Sequence, residues 1–258
     1  MVHPLLILGG TTEARQIAEA LKGLGRFRLE LSLAGRTRTP VTQPVPVRQG
    51  GFGGAEGLAA YLRERGIDLL IDATHPYAAR ISANAARAAD LAGVPLLALR
   101  RPGWAHVAGD RWIEVDDVPA AVEALGMAPR RAFLALGRQE LLPFEAAPRH
   151  VYLVRSVDPV DPPLALPQVT YLTARGPFAE EDERTLLSEN RIEVIVSKNS
   201  GGTASYGKIA TARALGIPVV MIRRPVLPAV RSFETVEALV THVCQRFPAE
   251  AASQERGE

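Results

Sequence analysis

Five stretches of this chain are rich in glycine or in hydroxyl, imidazole and basic side chains, and each follows a short apolar run. The first is Leu8-Gly9-Gly10-Thr11-Thr12-Glu13-Ala14. Glycines there let backbone approach a phosphate, and the helix that follows points free N–H groups at it. Gly9, Gly10, Thr11, Thr12 and Glu13 are therefore candidate cofactor contacts. A plain glycine turn with a threonine N-cap reads the same way. The second stretch is Ala34-Gly35-Arg36-Thr37-Arg38. An acidic residue near this point would take ribose hydroxyls, whereas an arginine suits the 2′-phosphate of NADP. Arg36 is the candidate and Arg38 the substitute; two solvated loop arginines are the competing reading.

Gly50-Gly51-Phe52-Gly53-Gly54 comes next. Four glycines in five residues give a fold little by themselves, so Gly51 and Gly53 read as a loop that hugs a ligand or as a flexible turn. Asp72-Ala73-Thr74-His75-Pro76-Tyr77 follows a fourth apolar run. Thr74 and His75 are candidate cofactor contacts, and His75 and Tyr77 candidate proton donors. Ser197-Lys198-Asn199-Ser200-Gly201-Gly202 is a donor-rich loop suited to anions. Lys198 and Tyr206 complete the proton-donor candidates. Arg138, Arg155, Arg175, Lys198, Asn199, Ser200, Gly201 and Lys208 are the candidate contacts for an anionic substrate.

The totals narrow the classes. Among 258 residues, 30 basic and 28 acidic side chains leave a formal charge of +2, which does not indicate a nucleic-acid protein. The single cysteine excludes a disulfide framework and a cysteine-based zinc site. The five histidines form no H-x-x-x-H pair, and no metal site is expected. No run is apolar and long enough to span a bilayer, and the first residues lack a signal-peptide layout; a cytoplasmic location is the default expectation.

The elements that must position these groups alternate. Apolar runs at 5–8, 27–33, 45–47, 68–73 and 95–99 are separated by helical spacing at 12–24, 55–65 and 78–92. Runs at 131–136, 151–155 and 194–197 recur later, with helices at 180–188, 206–215 and 235–245. This pattern predicts an α/β protein with parallel sheets covered on both faces. Ala92-Gly93-Val94-Pro95 through Arg100-Arg101-Pro102 is echoed by Leu215-Gly216-Ile217-Pro218 through Arg223-Arg224-Pro225. The echo predicts two related sheet units: a cofactor domain over 1–102 and a substrate domain over 103–258, with residues 103–117 as the junction. Whether the strands before each Arg-Arg-Pro stay in their own sheets is not readable from the repeat.

Taken in order, Gly9–Ala14, Gly50–Gly53, Asp72–Ala78, Ala174-Arg175-Gly176-Pro177-Phe178 and Ser197–Gly202 resemble the precorrin-6A reductase family. The resemblance implies two Rossmann-like domains with the active site in the cleft between them. It implies NADPH as cofactor and a polycarboxylate tetrapyrrole, precorrin-6A, as the substrate reduced to precorrin-6B in cobalamin biosynthesis. A cobalt-precorrin-6A reductase, a non-catalytic NADP-sensing protein and a sugar-nucleotide transferase are the alternatives. The motifs do not separate the metal-free from the cobalt-containing substrate.

Overall fold

The computed structural model describes residues 2–35 and 41–249. In chain order the elements begin with β1 (His3–Leu8), α1 (Thr12–Lys22), β2 (Phe27–Leu33), β3 (Val47–Gln49) and α2 (Ala55–Glu64). They continue with β4 (Leu69–Asp72), α3 (Ala79–Ala92), β5 (Leu96–Leu99), β6 (Trp112–Val115), α4 (Val118–Ala124) and β7 (Arg131–Ala135). Two 3₁₀ turns, Arg138–Glu140 and Leu142–Ala146, lead to β8 (Val151–Ser156), β9 (Val169–Thr173), α5 (Glu180–Glu189) and β10 (Val194–Lys198). The last are α6 (Gly207–Leu215), β11 (Val219–Ile222), β12 (Ser232–Phe233) and α7 (Val236–Arg246). No helix among the described residues is long and apolar enough to cross a membrane.

All pairings are parallel, as the alternation predicts. One sheet runs β12-β5-β4-β1-β2-β3 and the other β6-β11-β10-β7-β8-β9. Both have the Rossmann order, with strand direction of travel reversing beside a central strand: β1 in the first sheet and β7 in the second. The apolar runs are continuous because both faces of these strands are covered. Leu5 and Ile7 face α1 and α7 through Ile17, Leu21, Leu239 and Val243. Leu6 and Leu8 face α2 and α3 through Leu58, Leu62, Ala85 and Ala88. In the second sheet Phe133, Ile195 and Met221 pack on Leu187 and Ile209 of α5 and α6.

The chain divides into two units, and the division differs from the predicted one. The first unit holds residues 1–101 and takes back the chain from Val226; the second is Pro102–Pro225. The expected second domain of 103–258 is therefore corrected at its end. The reason is apolar: α7 buries Leu239 and Val243 completely in the core of the first sheet.

Each strand before an Arg-Arg-Pro stays in its own sheet, and the next strand is the one that changes sheet. β5 pairs with β4 and β11 with β10, but β6 adds to β11 and β12 to β5. The two junctions match bond for bond. The Arg100 N–H donates to the Phe233 carbonyl at 2.7 Å, and the Arg223 N–H to the Val115 carbonyl at 2.8 Å. Two residues after each edge strand stands a helix N-cap. Asp117 accepts the Ala120 N–H for α4, and Thr235 the Ala238 N–H for α7. The repeat thus extends past Arg-Arg-Pro through the next strand and helix, with the two copies exchanged between sheets.

Four elements went unread in the sequence: β6, α4, β9 and β12. β6 lies inside the stretch taken as a junction and is only half-buried. α4 carries Pro119 in its first turn, where the missing N–H costs nothing. Because α7 serves the first unit, Leu239→Ala should cost about 3 kcal/mol. Hydrogen exchange should show the loosening in α1, not in α4–β11.

Candidate functional site

In both sheets most of the described residues among the predicted site residues lie at or just after the carboxyl ends of strands, where ligands bind in open parallel sheets, while Tyr206 and Lys208 lie at the start of α6. In the first unit the turn after β1 stands beside the end of β4. The Gly9 N–H donates to the Ser32 carbonyl at 2.9 Å, and an added Cβ there would lie 2.7 Å from Leu31 Cδ1. Gly10 has φ +110°, and an added Cβ would meet nothing within 4 Å. The first therefore fits close packing and the second leaves open space above the turn. Thr11 caps α1 by accepting the Ala14 N–H at 3.1 Å, and its hydroxyl donates to the Ala73 carbonyl at 2.8 Å. That bond ties the β1 turn to the β4 turn. Thr12 lies in the first turn of α1, as does Glu13, whose carboxylate is paired with Arg101.

Asp72 organises the β4 side. It is fully buried and accepts from the Thr74 N–H at 3.1 Å, the Thr74 hydroxyl at 2.6 Å, the Ser82 hydroxyl at 2.6 Å and Arg100 Nη2 at 2.6 Å. Burial opposes its ionisation, but Arg100, Ser82 and Thr74 together outweigh burial and hold the carboxyl below its ordinary range. His75 and Tyr77 follow directly. His75 Nδ1 accepts the Tyr77 N–H at 3.3 Å, which puts the proton of a neutral ring on Nε2. The two rings lie 5.7 Å apart.

The Gly50–Gly54 loop is held rather than loose. Arg48, at β3, donates to the Gly50 carbonyl at 2.7 Å and the Gly51 carbonyl at 2.8 Å, and its guanidinium lies 3.8 Å from the Phe52 ring centre. Gly53 has φ +78°, a conformation that favours glycine. Arg36 and Arg38 lie outside the described residues.

In the second unit the corresponding strand ends are those of β7 and β10. Here the β7 turn opens a 3₁₀ turn, Arg138–Glu140, and no α-helix. Its Glu140 accepts the Gly137 N–H at 3.1 Å and forms an ion pair with Lys198 at the end of β10. Arg138 stands in the same turn, half-buried, and Arg175 is exposed after β9. Ser200 and Gly201 follow Asn199 in the β10 loop. Three predicted contacts are turned elsewhere. Arg155 is buried, paired with Glu183 and stacked 3.7 Å over the Phe178 ring. Lys208 is buried, donates to the Ser205 carbonyl at 2.7 Å and faces the Trp104 ring at 4.9 Å. Asn199 turns its amide onto the Trp104 backbone. Tyr206 offers its oxygen to Arg213 at 2.8 Å and packs 5.8 Å from the Trp104 ring.

Arg48, Asp72, Arg100, Arg101, Trp104 and Arg224 shape these strand ends and were not among the predicted site residues. The repeated Arg-Arg-Pro was the available signal for three of them, because two arginines leaving a buried strand at its carboxyl end must find partners there.

Two Rossmann-ordered sheets, one with a glycine turn capped at a helix N-terminus and one with a basic, glycine-rich β10 loop, define a two-unit nucleotide-fold protein. A family model described as precorrin-6x reductase CbiJ/CobK matches residues 4–244, and the chain belongs to that family. A precorrin-6A reductase from Sinorhizobium sp is 60% identical over 220 residues, covering 85% of this chain and 84% of the relative. One from Rhodobacter capsulatus is 49% identical over 236 residues, covering 92% and 94%. A solved structure, CobK precorrin-6A reductase, superposes with a TM-score of 0.90 at 47% identity, covering 95% of this chain and 98% of that one.

Desolvation pushes the Lys208 ammonium down to about 7, with Arg155 acting in the same direction and Glu183 against it. Between that value and the ordinary 10.5, the unfolded chain keeps a proton that the folded chain releases. Stability should therefore rise with pH across this window, by about 1.4 kcal/mol per pH unit. Lys208→Met should flatten that slope in urea titrations from pH 7 to pH 10.

Proposed function

We propose that the chain reduces precorrin-6A to precorrin-6B with NADPH, in the biosynthesis of cobalamin. The first unit holds the dinucleotide, and the second takes carboxylates of the macrocycle. Family membership over residues 4–244 carries the reductase activity. The division of labour rests on the contrast between the β1 and β7 turns. The β1 turn leads into an eleven-residue helix with a threonine cap and open space above Gly10. Such a helix start suits a pyrophosphate. Glu13 would repel that charge, and its pairing with Arg101 removes the objection. The β7 turn lacks the helix and already holds the Glu140 carboxylate.

Held at the β1 turn by Gly9, Gly10, Thr11 and the start of α1, NADPH would supply the hydride for one carbon of the double bond, with a proton added at the other. The chain's task is to orient the two partners, exclude water and deliver that proton. Thr11 and Asp72 fix the turns on either side of the reaction edge of the first sheet. His75, placed there with its proton on Nε2, is the donor we assign. Tyr77, Lys198 and Tyr206 are the other groups able to donate. Arg138, Arg175, Lys198 and the β10 loop are the contacts for the substrate's carboxylates. Arg155 and Lys208 support that surface from beneath. Arg36 is assigned to the 2′-phosphate.

The test is turnover. With precorrin-6A, NADPH should be consumed and the pigment's absorption should change; no turnover with either the metal-free or the cobalt-containing macrocycle would refute the activity. The relatives at 60% and 49% identity carry the metal-free name, so the metal-free substrate should have the higher kcat/KM. His75→Gln should lower kcat by about 10²-fold. Arg36→Glu should erase the preference for NADPH over NADH, read as the ratio of the two kcat/KM values.

A further inference from the structure

The β10 loop of the second unit is gripped by the chain at both of its crossings. Pro102–Trp104 is where the chain enters that unit, and Arg224–Pro225 is where it leaves. Asn199 Oδ1 accepts the Trp104 N–H at 2.7 Å, and Asn199 Nδ2 donates to the Trp104 carbonyl at 3.0 Å. Arg224 donates through Nε to the Asn199 carbonyl at 2.8 Å and through Nη2 to the Ser200 carbonyl at 3.0 Å and the Pro102 carbonyl at 3.1 Å. The Trp104 indole N–H donates to the Gly202 carbonyl at 2.7 Å. Three carbonyls of one short loop, those of residues 199, 200 and 202, are thus drawn onto the crossing segments.

Glycine is required where the grip is tightest. A Cβ on Gly201 would overlap the Pro102 carbonyl oxygen and the Arg224 guanidinium, and one on Gly103 would lie 3.2 Å from Asn199 Oδ1. Gly201 and Gly202 have φ of +68° and +70°. Among the described residues, neither of their N–H groups makes a hydrogen bond. Two adjacent N–H groups left unbonded in a turn are donors that an anion can take. The matching arginine of the first repeat, Arg101, is used differently: it pairs with the Glu13 carboxylate.

We propose that Asn199 and Arg224 are positioning residues for the reduction. They fix the Ser200–Gly202 loop so that the Gly201 and Gly202 amides, beside Lys198, receive one carboxylate of the macrocycle. This rests on the reading that the second unit takes the substrate. Neither side chain touches the ligand. Each acts through the loop, so a substrate effect should appear without a cofactor effect.

The variants are Arg224→Lys, which keeps the charge and loses the fork, and Asn199→Asp, which keeps the acceptor for Trp104 N–H and loses the donor. Lys198→Ala serves as the direct-contact control. Steady-state kinetics give KM for precorrin-6A, and fluorescence titration gives the NADPH dissociation constant, which also reports that each variant is folded. Both lock variants should raise KM for precorrin-6A on the order of tenfold, with NADPH binding unchanged. An unchanged substrate KM in the lock variants, with a raised KM in Lys198→Ala, overturns the lock and leaves the substrate reading standing. An unchanged KM in all three overturns both. A parallel rise in substrate KM and NADPH dissociation constant marks a purely structural role and overturns the proposal.

Discussion

The backbone hydrogen bonds that close the two sheet edges govern the rest of the molecule. A parallel sheet presents unpaired N–H and C=O groups on its last strand. Here β5 and β11 would be those strands. Each is closed by a strand that reaches it after the chain has crossed from the other unit, through Arg100 to Phe233 and Arg223 to Val115. Because the exchange is reciprocal, each sheet reaches six strands in the same order. The crossings then lie at the carboxyl edge of β5 and β11, which is also the edge where the candidate site residues stand. That coincidence places four arginines among them.

Those arginines show how one repeated sequence is put to two uses. Arg100 and Arg101 meet carboxylates, Asp72 and Glu13, and settle the charge around the turns of the first sheet. Arg223 meets Glu114 and Asp116 on β6 and the turn after it, whereas Arg224 turns onto backbone carbonyls. The difference follows from what stands at each neighbouring strand end. β4 ends in an aspartate, so an arginine there finds a buried anion. β10 ends in a lysine that is paired with Glu140, so the next arginine is left to the loop's carbonyls.

Much of the architecture was legible because buried parallel strands are continuous apolar runs, and Leu5–Leu8 or Val194–Val196 can be little else. The glycine turn after β1 and the turn after β4 were legible as turns for the same reason: each must follow the buried strand before it. β9 and β12 were not, since one is half-exposed and the other has two residues. The exchange could not be read from the Arg-Arg-Pro echo, which says that two strands are alike but not which sheet receives the strand after each. Basic residues at strand ends pose a similar ambiguity. Arg155 and Lys208 have the chemistry of ligand contacts, but Glu183 on α5 and the Trp104 ring draw them inward. Those partners lie 28 and 104 residues away in the chain, and no local signal announces them.

The exchanged edges also set an order of synthesis. Every strand of the second sheet lies between residues 112 and 222, so a growing chain holds that whole sheet while the first still lacks β12 and α7. The unit that begins first is thus the one that finishes last. Until the ribosome has released α7, β5 is an open edge and the α1 face that Leu239 and Val243 cover is bare. The order in which the two sheets are completed along the chain is thus the reverse of the amino-terminal-first order usually described for folding during synthesis.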